Sequence, residues 1–267
     1  MDHRKKLEWA RKHLDRLDES IRIFRESTPC HLTIQFNPKT GANDAYVTQL
    51  RPMDPDWSMM VGDIVHGMRS SLDNITYALA RKHSGEAAAN GSTELQFPIC
   101  DHPLGWYNPA KKKGQKRRVA LLSPLAQAEV ERLQPYNGRY PGDFHPLTVL
   151  RDLSNIDKHR HIILTYPRGS DLSIKIFGPR VPPGAKFGSG FAGPIEEGTH
   201  VGSLVLFDPR TGDRPIPLPT DMEVDPNLAL DILFGAGDYT GSVVGVFRGI
   251  YDTINTEIFP ALENFLL

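Results

Sequence analysis

In the stretch HGMRSSLDNITYALA, His66, Arg69, Asp73 and Tyr77 follow one another at intervals of three or four residues. On a helix that spacing stacks them along one strip, each within reach of the next. These are the groups that phosphate chemistry uses. A guanidinium clamps an anion, an imidazole or phenol beside it moves a proton, and a carboxylate one turn on holds the guanidinium in place. The same residues also suit a structural task. A half-buried arginine needs a paired charge, and an Arg69–Asp73 clasp would hold bundle helices in register.

Two further clusters raise the same question. In Asp157-Lys158-His159-Arg160-His161 an extended backbone would send Asp157, His159 and His161 to one side, as a three-ligand metal set. Cations at a helix carboxyl end are also favoured by the helix dipole alone. The segment KKKGQKRR places Lys111, Lys112, Lys113, Lys116, Arg117 and Arg118 within eight positions, with Trp106 and Tyr107 just upstream. Basic side chains contact phosphates and aromatic rings stack on bases, so this loop is a candidate RNA contact. The plain alternative is a solvated basic loop. Gly188-Ser-Gly190-Phe-Ala-Gly193 fits G-x-G-x-x-G, but no helix opens behind it, so no dinucleotide site is expected. Walker motifs, paired zinc-finger cysteines and a G-x-S-x-G elbow are all missing, and the expectation is no cofactor and no metal.

A helix-rich chain positions these clusters. Leu7, Ala10, Leu14, Leu17, Ile21 and Phe24 alternate three and four apart, the seam of a first helix over Lys5 to Ser27. His31 to Asn37 and Asp44 to Leu50 flank a turn and read as a hairpin. A second helix, Pro55 to Ser84, carries the apolar face Val61, Ile64, Val65, Met68, Leu72, Ile75 and Leu79, while Gly67, Ser71 and Ala78 let another backbone come close. A short strand over Glu94 to Cys100 follows. Ser123-Pro124 caps a third helix, and His145-Pro146 opens a fourth that runs to about Asp157.

Strands are expected at His161 to Tyr166, Leu172 to Phe177, Val201 to Phe207 and Leu228 to Phe234. Six glycines and four prolines between Gly178 and Gly198 mark an irregular excursion, and Pro260 should bend a last helix over Ser242 to Leu266. The fold class that follows is α+β. A four- to five-helix bundle from residues 1–160 and 238–267 carries an inserted, mostly antiparallel β-sheet at 161–237, all in a single domain.

Across 267 residues, 31 basic side chains balance 32 acidic ones, so global charge singles out neither nucleic acid nor membrane. Two cysteines, Cys30 and Cys100, fit a reducing cytosol better than a disulfide scaffold. MDHRKKLEWARKHLDRL has no apolar run of signal-peptide type, and no later stretch has the length to span a bilayer. A cytoplasmic protein without membrane contact is expected.

The motifs also carry a resemblance. Arg69-Ser-Ser-Leu-Asp73-Asn74, Tyr77-Ala-Leu-Ala80, Phe97-Pro98-Ile99, Leu133-Gln-Pro-Tyr136 and Leu153-Ser-Asn-Ile-Asp157-Lys-His159-Arg160 resemble the shared pattern of a group of uncharacterised bacterial and phage proteins. The likeness covers residues 60–160. More distantly the chain resembles the HEPN superfamily of helical bundles, whose ribonuclease members carry an arginine followed a helical turn later by histidine, usually paired across a dimer. Arg69 matches that arginine, whereas Asn74 stands where histidine falls, and asparagine exchanges no proton near neutral pH.

The resemblance implies a HEPN-like bundle with RNA as ligand and a homodimer as assembly. Asn74 shifts the balance toward a non-catalytic protein. The alternatives are a metal-independent endoribonuclease and a purely structural homodimer module. If cleavage occurs, Arg69, Asp73, His66 and His159 are its candidate residues, with His66 or His159 as proton acceptor in Asn74's stead.

Overall fold

The computed structural model describes residues 2–27, 29–138, 145–159, 164–165, 172–177, 186–188, 195–207, 214–218, 223–228, 233–234 and 242–267. The chain divides into two compact units. One comprises Met1–Asp18, Pro55–Ile163 and Val243–Leu267, the other Glu19–Asp54 and Leu164–Ser242.

The first unit is helical. Helix α1 (Asp2–Glu26) buries Leu7, Ala10, Leu14 and Leu17 of the expected seam. Helix α2 (Asp56–Ser84) buries every residue of its apolar face from Val61 to Leu79. Gly67 is required where the two cross, since a Cβ there would lie 2.9 Å from the Ala10 Cβ. After α3 (Glu86–Gly91) and the single turn α4 (Pro103–Trp106), helix α5 (Pro124–Arg132) starts where the Ser123 hydroxyl accepts the Ala126 N–H. Helix α6 (Pro146–His159) starts on His145, whose Nδ1 accepts the Leu147 N–H at 3.2 Å, and packs against α2.

The last helical stretch is α7 (Val243–Asp252), a π-helical turn over Thr253–Ile258 and α8 (Phe259–Glu263). The Phe259 N–H reaches back five residues to the Ile254 carbonyl. Pro260, with no N–H to offer, follows directly, so the expected bend takes the form of a widened turn. α6 packs on α7, and α8 on α2 and α5.

The second unit is a sheet. Strands β1 (Cys30–Asn37) and β2 (Ala42–Leu50) form an antiparallel hairpin. On the chain's way back, β3 (Leu164–Thr165), β4 (Leu172–Phe177), β5 (Lys186–Gly188), β6 (His200–Phe207), β7 (Pro215–Ile216), β8 (Glu223–Leu228) and β9 (Leu233–Phe234) follow. β6 pairs with the free edge of β2, β5 and β7 pair with β6, and β4–β8 and β3–β9 make separate two-stranded ladders. Every ladder among the described residues is antiparallel. Cys30, Ala45, Val47, Ile195 and Val201 form its core, with Leu32, Ile34 and Leu50 packed against it.

The molecule is thus α+β, and the hairpin assigned by sequence to the bundle half belongs by its pairing to the sheet. One expected strand is absent. Glu94 to Cys100 joins no ladder, because the side chains of Asp73, Arg69 and Gln134 take the backbone groups of Phe97 and Cys100 and the Arg118 carbonyl takes the Gln96 N–H. No helix among the described residues is long and apolar enough to cross a membrane.

Candidate functional site

The strip on α2 comes apart into three local pairings. Arg69 Nη2 lies 3.0 Å from Asp73 Oδ1 and donates to the Phe97 carbonyl, while the Phe97 N–H donates to Asp73 Oδ1 at 2.9 Å. The pair therefore grips both polar groups of one peptide residue, as a neighbouring strand would. Only 11% of the Arg69 side chain is exposed. Burial pushes its guanidinium below the usual arginine value; Asp73 opposes that shift and Arg118 adds to it. Arg69 Nη1 is buried without a hydrogen-bond partner.

The other members look elsewhere. His66 is exposed and its Nε2 lies 3.3 Å from the Ser70 hydroxyl, while Tyr77 donates to Asn90 Oδ1 at 2.6 Å. Asn74 lines a cleft of about 550 Å³ with Tyr77, Arg81 and Lys82. Arg69 points instead to Phe97, so the arginine and the position where histidine was expected serve different surroundings. The Asp157 carboxylate lies over Gly62, whose Cβ would come within 2.8 Å of Oδ1, two helical turns (about 10 Å) before Arg69. The Asp157 and Arg69 clusters thus face separate stretches of α2. The side chain of His159, and Arg160 and His161 altogether, lie outside the described residues, so the metal set Asp157, His159, His161 does too. No group of three metal ligands forms among the described residues.

The basic loop is built with more definition than its composition suggests. Asn108 and Lys113 pair as an antiparallel bridge, and Asn108 Oδ1 accepts the Lys111 N–H at 3.1 Å. The tip residue Lys112 adopts φ 47°, the left-handed region that glycine or asparagine normally fills. Gly114 closes the knuckle, for a Cβ there would lie 2.2 Å from the Trp106 carbonyl oxygen. Arg117 pairs with Glu94 at 2.7 Å and Arg118 with the Gln96 side chain, which ties the loop's far end to the segment Glu94 to Cys100. Lys111, Lys112, Lys113 and Lys116 are exposed and make no ion pair among the described residues. Trp106 does not serve as a stacking ring, being 2% exposed beneath the knuckle, whereas Tyr107 is 46% exposed.

Two arrangements escaped the sequence. Gln134 of the LQPY motif accepts the Cys100 N–H and donates to the Pro98 and Val130 carbonyls, completing the hold on that segment. The sequence marked Gln134 as part of the LQPY motif but gave no sign of the backbone groups it holds. In the sheet unit, the Ser203 hydroxyl donates to Asp44 Oδ1 at 2.7 Å and lies 3.0 Å from His200 Nε2. Serine sits between carboxylate and imidazole here, so its proton already points at Asp44 and the set lacks the order that activates a nucleophile. Asp44 and Ser203 are 159 positions apart in sequence, and nothing in their local context connects them.

Comparison with protein-family models, curated proteins and solved structures finds no match to this chain.

Proposed function

We propose that this protein, a bundle of HEPN-like build, binds single-stranded RNA without cleaving it, through the loop from Lys111 to Arg118. The observation that carries the proposal is the knuckle. Four exposed lysines that make no ion pair among the described residues stand on a turn braced by the Asn108–Lys113 bridge and by Gly114 against the Trp106 carbonyl, beside the exposed ring of Tyr107. Cations held close together neutralise successive phosphates, and an exposed ring stacks on a base of any identity. A left-handed lysine at the tip is a local strain of the kind that functional sites retain.

The engagements of Arg69 and His66 support a reading without cleavage. The guanidinium gives its Nη2 to Phe97 and Asp73, and the exposed imidazole has Ser70 as its neighbour rather than Arg69. The test is to incubate the purified protein with mixed-sequence single-stranded RNA, with and without chelator, and to measure filter retention and fragment length. Intact, retained RNA is expected in both conditions. No retention at low salt overturns the proposal, and cleavage lost with chelator would move the function to Asp157, His159 and His161.

A further inference from the structure

A second surface lies on the helical unit, well apart in sequence from the basic loop. Of the three tryptophans, Trp57 and Trp106 are 1% and 2% exposed, but Trp9 is 56% exposed. It falls off the buried seam of α1, and the ring of His13, one turn on, meets its indole edge-on at 5.1 Å. Lys5, Glu8, Trp9 and Lys12 share one face of α1 by their spacing and line a cleft of about 540 Å³, whose opposite wall is Tyr251 and Asn255. That volume is in the range of small-molecule sites. Asn255 belongs to the π-helical turn, a feature that recurs at functional sites.

The charges of the cleft are sorted. Arg4 is engaged by Glu263 at 2.6 Å through Nε, and its Nη1 reaches Asn255 Oδ1 at 3.4 Å. Arg11 is engaged by Asp15 and covers the Tyr251 ring at 5.1 Å. Lys5 and Lys12 are exposed and make no ion pair among the described residues, and Glu8 is exposed as well. An open aromatic face, two exposed cations with no ion pair among the described residues and one carboxylate do not suit a simple polyanion, which the carboxylate repels, nor a neutral aromatic ligand, which needs no lysines. They suit a ligand with a flat base, an anionic group and a pair of hydroxyls. We infer that this cleft binds one ribonucleotide unit, with its base on Trp9, its phosphate between Lys5 and Lys12, and its ribose hydroxyls donating to Glu8.

The unit is either a free nucleotide or one residue of an RNA strand, and the cleft does not depend on the basic loop. Because the other two tryptophans are buried, stacking on Trp9 should quench the exposed part of the emission. The full chain is titrated with AMP, 2′-deoxy-AMP and adenosine, and affinities are measured in parallel by calorimetry. Saturable quenching by AMP is expected, with adenosine weaker by about tenfold and the deoxynucleotide weaker than AMP. Lys5→Gln with Lys12→Gln should reduce AMP to the affinity of adenosine and leave adenosine unchanged. Trp9→Ala should weaken AMP and adenosine alike by about tenfold, in line with the loss of one base–aromatic stack.

All three side chains are solvent-facing, and an unchanged circular dichroism spectrum confirms the fold. Oligoadenylate that displaces AMP identifies a strand as the source; failure to displace it identifies the free nucleotide. No quenching by AMP at about 5 mM, or AMP and adenosine bound equally, or double-lysine variants that bind AMP as before, each overturns the inference. Glutamines in place of the six basic loop residues should leave AMP binding intact, so the loop's role in RNA binding fails or stands separately.

Discussion

The strip His66–Arg69–Asp73–Tyr77 and the loop Lys111–Arg118 each offer a chemical and a plain structural reading in sequence, and the fold treats the two differently. The strip has the residue types and spacing of a reaction site, yet its arginine and aspartate close on the backbone of Phe97. The loop, which in sequence is either an RNA contact or a solvated basic loop, is braced at both ends and keeps four lysines that make no ion pair among the described residues. Helical spacing tells which side chains can reach one another. It does not tell whether a distant segment will use them first. The contrast teaches that a polar strip counts toward chemistry only after the backbone groups near it have been accounted for.

That contrast breaks most visibly at the clasp. Asp73→Ala should lower unfolding free energy by about 3–5 kcal/mol in urea titrations, since it leaves the buried Arg69 guanidinium uncompensated, whereas Arg69→Ala, which leaves a carboxylate that is 31% exposed, should cost less, about 1–3 kcal/mol. The double variant should cost less than the sum of the two. Strict additivity would show that the pair does not interact. Gln134→Ala comes next, with a loss of about 1–3 kcal/mol, because it strands the Cys100 N–H and two carbonyls inside the helical unit. A neutral result there would mean that the segment is held by the clasp and by the Arg117 and Arg118 contacts without help from Gln134.

On the loop the sign should invert. Lys112→Gly relieves the left-handed lysine and should raise stability by about 0.5–1 kcal/mol while weakening RNA binding, a trade that no residue of the clasp can show. A destabilised Lys112→Gly with unchanged binding would make the knuckle a structural turn and nothing more. The smallest effect belongs to the sheet unit. Hydrogen bonds from Ser203 and Asn37, with nearby His200, hold the Asp44 carboxyl below the usual aspartate value, although its burial pushes the other way. A depressed folded value means that this contribution is complete above the unfolded-state pKa of about 3.9 and is lost as pH falls through the folded value. Asp44→Asn should therefore flatten stability against pH in that acid window and leave the slope above pH 5, about one unit clear of it, unchanged.

Much of the frame was legible because it rests on local rules. The α1 seam, the α2 face, the Ser123 and His145 starts and the close approach at Gly67 follow from periodicity, capping and size. The strand at Leu172–Phe177 coincides with its expected bounds, whereas Leu228 to Phe234 holds the end of β8 and β9, with residues 229–232 outside the described residues. Glu94 to Cys100 misled because alternation looks the same whether a strand or the side chains Asp73, Arg69 and Gln134 take the backbone groups. The arginine's role was legible only as a pair of alternatives, since its partner peptide lies 28 residues away. Trp9 gave no motif at all; its exposure is a property of the packed helices, and its off-seam position is the one sequence sign of it.

The central claim is that the braced lysines, and not the α2 strip, meet the ligand. Its most direct test is the salt dependence of single-stranded RNA binding for the unaltered protein, for the variant with Lys111, Lys112, Lys113 and Lys116 changed to glutamine, and for His66→Ala. Each phosphate contact contributes about 0.7 to the slope of log affinity against log salt, so the four-lysine variant should lose nearly 3 units of slope. His66→Ala should run parallel to the unaltered protein. A four-lysine variant with an unchanged slope, or a slope lost with His66 instead, would contradict the account.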